Sequence, residues 1–174
     1  MNVLLPFNKL DVSRGSGIRV TLTVSGDGVK FTEIIKTDLF AALSNPYVAG
    51  LSVIGNDPFD TVNAEVLYGL FVEFRCLFHH KDIWVWSSHK VEEWLADGNP
   101  KNWDYKNHLS QLAMLENIDY LVDGPFIEGQ KKKLAFRNSS NQRILKIERK
   151  EAPMDAGTRW LLIPHDVSKQ FDEC

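Results

Sequence analysis

The order of apolar runs along the chain predicts an α/β fold, built on a mostly parallel sheet with crossover helices. Short runs rich in β-branched residues alternate with longer segments in which apolar residues recur every three or four positions. Such a strand–helix–strand order is typical of parallel strands joined by helices. The length of 174 residues suits one domain. We therefore predict a single α/β domain over residues 1–174, with residues 149–174 as a C-terminal extension.

Each element is predicted from its local pattern. The predicted strands are apolar and bounded by turn residues; they are 18–25, 51–54, 82–86, 118–122 and 144–147. The predicted helices have helical apolar spacing; they are 31–43, 62–78, 89–94 and 108–116. Asn45 and Pro46 end the first helix, and Asp123-Gly124-Pro125 ends a strand. Residues 160–164 form either an added edge strand or a docked tail.

Composition and cysteine content indicate a soluble, cytoplasmic protein. Hydrophobic residues make up 44% of the chain and charged residues 25%, a mixture typical of globular proteins. The two cysteines, Cys76 and Cys174, cannot build a disulfide framework, so a reducing compartment is the simpler setting. No basic leader or membrane-length apolar segment is evident in the sequence.

The charges are unevenly distributed. The net charge is −3, yet residues 130–150 contain eight basic side chains and one acid, Glu148. Such a layout favours docking to a phosphate or to an acidic surface. The alternative is a solvated face without a binding role. The sequence favours this alternative over the binding of nucleic acid or nucleotide phosphate.

Four segments, read in order, carry a family resemblance. They are Gly17-Ile-Arg-Val-Thr-Leu-Thr-Val-Ser-Gly26, Gly50-Leu-Ser-Val-Ile-Gly-Asn-Asp-Pro-Phe59, Lys81-Asp-Ile-Trp-Val-Trp86, and Asp119-Tyr-Leu-Val-Asp-Gly-Pro-Phe126 followed by Phe136-Arg-Asn-Ser-Ser-Asn-Gln-Arg143. Together they resemble the anaerobic ribonucleoside-triphosphate reductase activating proteins, a radical S-adenosylmethionine family, over roughly residues 10–148. The resemblance implies an incomplete (partial) barrel or open sheet.

The chain departs from the family where the cluster ligands are expected. In the family, the Val-Ser-Gly of the opening strand is followed by a Cys-x3-Cys-x2-Cys loop, whose thiolates hold a [4Fe–4S] cluster that chelates S-adenosylmethionine. Here Gly26 is followed directly by Asp27 and by a segment resembling the family's first helix. Neither Cys76 nor Cys174 stands in the loop. We therefore expect no catalytic residue, no metal and no cofactor.

Other departures lie at the strand ends, where ligands bind in parallel α/β folds. Asn56 replaces the second glycine of a Gly-Gly-Asp-Pro segment, and Ser87-Ser88-His89 stands where Thr-Gly-Tyr is usual. The sequence thus predicts a degenerate cofactor site formed by Asn56, Asp57, Ser87 and His89. We expect this end of the sheet either to be refilled by side chains, with Trp103 nearby, or to be open as a docking groove.

Two further groups of residues have both a functional and a purely structural interpretation. Cys76, His79 and His80 share one helical face, as a metal half-site requires, but no second ligand pair is evident and a surface helix end is favoured. Asp57 and Asp60 suggest acid–base chemistry, but an Asp-Pro turn before a helix more often supplies an N-cap.

The leading hypothesis is a catalytically inactive, activase-like protein-binding module, an inhibitor or regulator of the kind that a phage could encode. Its partner would be a glycyl-radical reductase subunit or an unrelated target. The predicted partner-binding residues are Lys131, Lys132, Lys133, Arg137 and Arg143. One alternative is a domain that still binds S-adenosylmethionine or a nucleotide for non-radical chemistry or sensing. A second alternative is nucleic-acid binding through residues 131–150.

Overall fold

A computed structural model of the chain describes residues 7–25, 32–95, 104–151 and 160–173. The strands are β1 (Phe7–Asp11), β2 (Ile18–Val24), β3 (Val48–Gly55), β4 (Asp82–Trp86), β5 (Tyr120–Asp123), β6 (Lys131–Leu134), β7 (Arg137–Ser139), β8 (Arg143–Glu151) and β9 (Trp160–Asp166). The helices are α1 (Glu33–Leu43), α2 (Thr61–Leu77), α3 (Leu109–Leu115) and α4 (Ser168–Asp172). Single 3₁₀ turns cover Val91–Trp94 and Glu128–Gln130.

Seven of these strands form one open sheet in the order β1-β2-β3-β4-β5-β8-β9. The central strands β2 to β5 are parallel neighbours, whereas β1, β8 and β9 each pair antiparallel with the adjacent strand. The predicted α/β class is confirmed, and the sheet does not close into a barrel. Residues 160–164 belong to β9, so the edge-strand alternative is correct. Strands β6 and β7, which the sequence did not predict, form a separate hairpin.

One face of the sheet carries the main hydrophobic core. Leu22, Leu51 and Ile83 of the parallel strands are fully buried against α1, α2 and α3. The first of these helices begins where the Thr32 hydroxyl accepts a hydrogen bond from the Ile35 amide at 3.3 Å, as an N-cap residue does. Among the described residues, no helix is both long enough and apolar enough to cross a membrane.

The opposite face of the sheet holds a cluster of aromatic rings and the buried side chain of Arg19. Trp84 is fully buried, and its ring stacks on Tyr120 with centroids 4.3 Å apart. Phe136, which precedes β7, and Phe171 of α4 meet Trp84 edge-on. This cluster of aromatic rings therefore attaches the β6–β7 hairpin and α4 to the sheet.

Arg19 of β2 is fully buried on the same face. Its guanidinium lies 2.6 Å from the Asp82 carboxylate and 5.7 Å from the centroid of the Trp84 ring. It also donates hydrogen bonds to the Ser52 hydroxyl at 2.6 Å and to the Leu51 carbonyl at 2.9 Å. Because a buried cation is tolerated only when paired and hydrogen-bonded, this network fixes β2, β3 and β4 relative to one another.

Candidate functional site

The carboxyl ends of β3, β4 and β5 meet at one edge of the sheet, because these strands are parallel. Asn56 and Asp57 follow β3, and Ser87 and His89 follow β4, so all four predicted site residues lie at this edge. The turn after β3 begins at Gly55 with φ +109°, and a Cβ atom there would lie 2.3 Å from the Val24 carbonyl oxygen. Glycine is therefore required at that position.

The Asp57 carboxylate joins the ends of β3 and β4. It accepts hydrogen bonds from the Ser87 hydroxyl at 2.9 Å, from the Ser88 amide at 2.7 Å and from the Ser88 hydroxyl. It also accepts the Phe59 amide hydrogen at 3.0 Å, which closes the turn before α2. Asp60 is the residue before α2, but its side chain makes no capping bond. The polar groups at this edge thus bind one another.

Asn56 takes part in this edge of the sheet mainly through hydrogen bonds of its backbone. Its amide donates to the Val24 carbonyl at 2.9 Å, and its own carbonyl accepts the Asn63 side-chain amide at 3.3 Å. The Asn56 residue is exposed. Trp103, which was expected nearby, lies outside the described residues.

The His89 imidazole is surrounded by three carboxylates. Its Nδ1 lies 2.8 Å from Glu93 Oε2, and its Nε2 lies 3.4 Å from Asp60 Oδ1 and 4.0 Å from Asp57 Oδ2. Burial lowers the pKa of His89, but the hydrogen bonds to Glu93 and Asp60 and the charges of Asp57 and Glu93 more than offset this, so its pKa is raised. This edge therefore favours a cationic His89.

Arg143 has a structural role that the sequence did not predict. Its guanidinium binds both oxygens of Glu92 at 2.8 Å and also holds the Asp123 carboxylate, with Nε at 2.9 Å from Oδ1. Asp123 is fully buried and also accepts the Val91 amide hydrogen at 3.1 Å. The hydrogen bonds that the guanidinium donates to Asp123 and Glu92 raise the pKa of Arg143. Arg143 therefore connects β5, β8 and the 3₁₀ turn between α2 and α3.

The predicted basic surface is smaller in the structure than in the sequence. Arg137 is buried and pairs with Asp172 of α4, and Arg149 pairs with Asp119 at 3.2 Å. All three arginines of the basic stretch are thus engaged with carboxylates of this chain. The predicted partner-binding residues that remain exposed are Lys131, Lys132 and Lys133 of β6.

Two shallow cavities mark the carboxyl edge. The first encloses about 200 Å³ and is lined by residues of the strand ends and the loops after them: Gly55, Asp57, Trp86, Ser87, Ser88, Gly124, Phe126 and Gln142. The second, of about 300 Å³, lies beside His89, Glu93 and Trp94. The site predicted from the sequence did not include Ser88 and Glu93, although both are polar residues within a few positions of a strand end.

The thiol content of the described residues does not suit an iron–sulfur centre. Cys76 is exposed and is the second-last residue of α2. Since α2 leads from the carboxyl end of β3 to the amino end of β4, Cys76 lies at the edge of the sheet opposite the candidate site. Within the described ranges, no three His, Cys, Asp or Glu side chains are grouped so that they could hold a metal ion.

Comparison with known proteins gives consistent matches. A family model described as a 4Fe-4S single cluster domain matches residues 22–145. The anaerobic ribonucleoside-triphosphate reductase-activating protein of Haemophilus influenzae is 31% identical, over 80% of this chain and 95% of the relative. Proteins of the same name from Vibrio cholerae (32% identical, 78% and 92%) and from Enterobacteria phage T4 (29% identical, 77% and 87%) are also similar. No solved structure matches significantly.

Proposed function

The chain belongs to the family of anaerobic ribonucleoside-triphosphate reductase-activating proteins, and from this premise we propose that it is a protein-binding module that keeps the activase scaffold without the cluster chemistry. The names of its relatives state that they activate an anaerobic ribonucleoside-triphosphate reductase. The proposed partner is accordingly the corresponding reductase, and the proposed effect is to occupy the surface that an active family member would use.

The observation that carries this proposal is the donor set. A [4Fe–4S] cluster is held by cysteine thiolates, and the family's loop would supply three of them. The sequence has only Cys76 and Cys174, separated by nearly a hundred residues, and Cys76 lies at the edge of the sheet opposite the candidate site. The side chains at those strand ends carry oxygen and imidazole groups, which are bound to one another. These residues do not fit the cluster.

The small size of the two carboxyl-edge cavities supports protein binding over the alternative of S-adenosylmethionine or nucleotide binding. Ligand pockets usually enclose about 300–1,000 Å³, whereas the cavity around Asp57 encloses about 200 Å³ and the one beside His89 about 300 Å³, the lower end of that range. A thermal-shift titration separates these two functions. A ligand present at 100 times its Kd would stabilise the fold by about 2.7 kcal/mol, and we expect no such stabilisation by S-adenosylmethionine or ATP.

The test of the lost chemistry is anaerobic reconstitution with iron and sulfide, with the phage T4 relative treated in parallel as the positive control. We expect the relative to take up iron and labile sulfide, and this chain to remain colourless after desalting. The proposal is wrong if this chain retains iron and sulfide in the stoichiometry of a [4Fe–4S] cluster.

The test of the binding function uses the anaerobic reductase of the same source. We expect the purified chain to form a complex with the reductase in sedimentation-velocity runs. We further expect it to lower the yield of glycyl radical, measured by electron paramagnetic resonance, when it competes with an active family member. Unchanged sedimentation together with an unchanged radical yield would contradict the proposal.

A further inference from the structure

An exposed basic and apolar surface lies next to the carboxyl edge. Lys131, Lys132 and Lys133 of β6 line a cavity of about 420 Å³ together with Phe126 and Asn138. Phe126 is 49% exposed, and it also lines the 200 Å³ cavity beside Asp57. The two cavities therefore share one aromatic wall. We call the five residues around the larger cavity the lysine–Phe126 surface.

The lysines of this surface are available to a partner. Lys131 lies 3.7 Å from Glu128, but both side chains are more than two-thirds exposed, so this pair contributes little. Within the described residues, neither Lys132 nor Lys133 makes an ion pair. The three arginines of the same stretch are already paired with carboxylates. This surface thus presents three exposed ammonium groups beside one aromatic ring.

The platform beneath these side chains is fixed to the rest of the molecule. The Trp86 indole donates to the Phe136 carbonyl at 2.9 Å, Arg137 pairs with Asp172, and the Ser140 amide donates to the Gln130 carbonyl at 2.9 Å. A rigid backbone reduces the entropy that binding must overcome. Only the side chains need to order when a partner docks.

We propose that the lysine–Phe126 surface docks an acidic segment of a partner protein whose aromatic or large aliphatic side chain packs on Phe126. This inference rests on the proposed function, because it names the surface through which the module binds. Charge complementarity selects the acidic residues, and the half-exposed ring supplies the apolar contact. Nucleic acid is the less suitable occupant, because the arginines that grip phosphate with two hydrogen bonds are occupied within the chain.

Fluorescence anisotropy with labelled peptides tests this inference on the whole chain. The probe is a peptide in which glutamates surround one central phenylalanine; its companions replace the phenylalanine by alanine, or the glutamates by glutamines. We expect the probe to bind more tightly than either companion, and binding to weaken as salt is added. K132E/K133E and F126A should each weaken binding of the probe by about tenfold or more.

The matched control is K9E/K106E, which makes the same change in net charge at two exposed lysines outside this surface. This variant should bind the probe as the wild type does. The inference is overturned if the probe binds K132E/K133E and F126A as tightly as wild type, or if a single-stranded oligonucleotide of equal length binds more tightly and displaces the probe. A wild-type chain that binds the reductase but not the probe overturns this inference alone, whereas one that binds the probe but not the reductase contradicts only the proposed reductase partner.

Discussion

At the carboxyl edge of the sheet, a single side chain, that of Asp57, accepts many of the hydrogen bonds that hold the loops together. Its carboxylate is only 10% exposed and accepts hydrogen bonds from two backbone amides and two hydroxyl groups. Asp60, three positions later, is 53% exposed and makes only a 3.4 Å contact with His89. Two aspartates of one turn therefore differ sharply in what their removal should cost.

Replacing Asp57 by alanine should lower the free energy of unfolding by about 1–3 kcal/mol, because the amides of Phe59 and Ser88 lose their acceptor. Replacing Asp60 by alanine should cost less than about 1 kcal/mol, since that side chain caps no helix and is largely solvated. Urea unfolding of both variants measures the difference. Equal losses would mean that the hydrogen bonds of Asp57 do not stabilise this edge.

The raised pKa of His89 predicts a pH-dependent contribution to stability. The folded state binds the imidazole proton more tightly than the unfolded chain does, because Glu93, Asp60 and Asp57 surround the ring. The contribution is therefore fully present below the ordinary pKa of 6.5 and is lost as the pH rises through the raised value in the folded state. Hence the stability difference between wild type and H89Q should shrink as the pH increases above 6.5.

Two measurements check this pH dependence. Urea unfolding of wild type and H89Q across neutral pH gives the stability difference, and NMR titration of the ring gives the pKa of His89. In E93Q the pKa of His89 should fall towards its ordinary value, because that variant removes the charge beside Nδ1. A stability difference that stays constant with pH would rule out this account.

Among the elements, β5, β8 and the turn at Val91–Trp94 are joined by one guanidinium. In R143M, the fully buried Asp123 would lose its cation, and we expect a loss of about 3–5 kcal/mol in the free energy of unfolding. K150M removes the same charge from an exposed pair with Glu148 and should cost less than about 1 kcal/mol. Urea unfolding compares them, and a similar small loss in both variants would contradict a structural role for Arg143.

The sequence predicted the elements that have a clear apolar pattern and missed those that lack one. Strand β4 was predicted with its observed bounds because Ile83 and Val85 alternate with the two tryptophans. The β6–β7 hairpin was missed because β6 is a run of lysines and its turn uses Phe136 at φ 59° in place of the usual glycine or asparagine. A phenylalanine whose backbone adopts the left-handed region cannot be predicted from the sequence.

In the candidate site, too, some contacts could be predicted from the sequence and others could not. Asp57, Ser87 and His89 could be placed at one edge because parallel strands bring their carboxyl ends together. The pairing of Arg143 with Asp123 could not, since these residues are 20 positions apart and their contact depends on the register of two antiparallel strands. Charge counted along the sequence therefore overestimated the basic surface.

At the scale of the whole molecule, one sheet supports two clusters of buried side chains. Leu121 and Leu145 face the helices, while their neighbours Val122 and Ile144 face the aromatic side. Since β4, β5 and β8 each contribute side chains to both clusters, we expect neither cluster to come apart while the other stays intact.

We accordingly expect a single cooperative unfolding transition in urea. Far-UV circular dichroism follows the strands and helices, and tryptophan fluorescence follows side-chain packing on both sides of the sheet, at Trp94 and at Trp84. The two curves should have the same midpoint and slope. Midpoints that differ beyond experimental error would contradict a single cooperative transition.

The stacked rings on that side also give the protein an optical signal of its own packing. Trp84 stacks on Tyr120, with ring centroids 4.3 Å apart, and on Trp86, with centroids 5.9 Å apart, so their electronic transitions couple only while this geometry persists. Near-UV circular dichroism registers such fixed asymmetry and disappears when side chains become fluid, even if the backbone stays folded. A variant or a ligand that loosens the aromatic side would therefore change this spectrum without any attached dye.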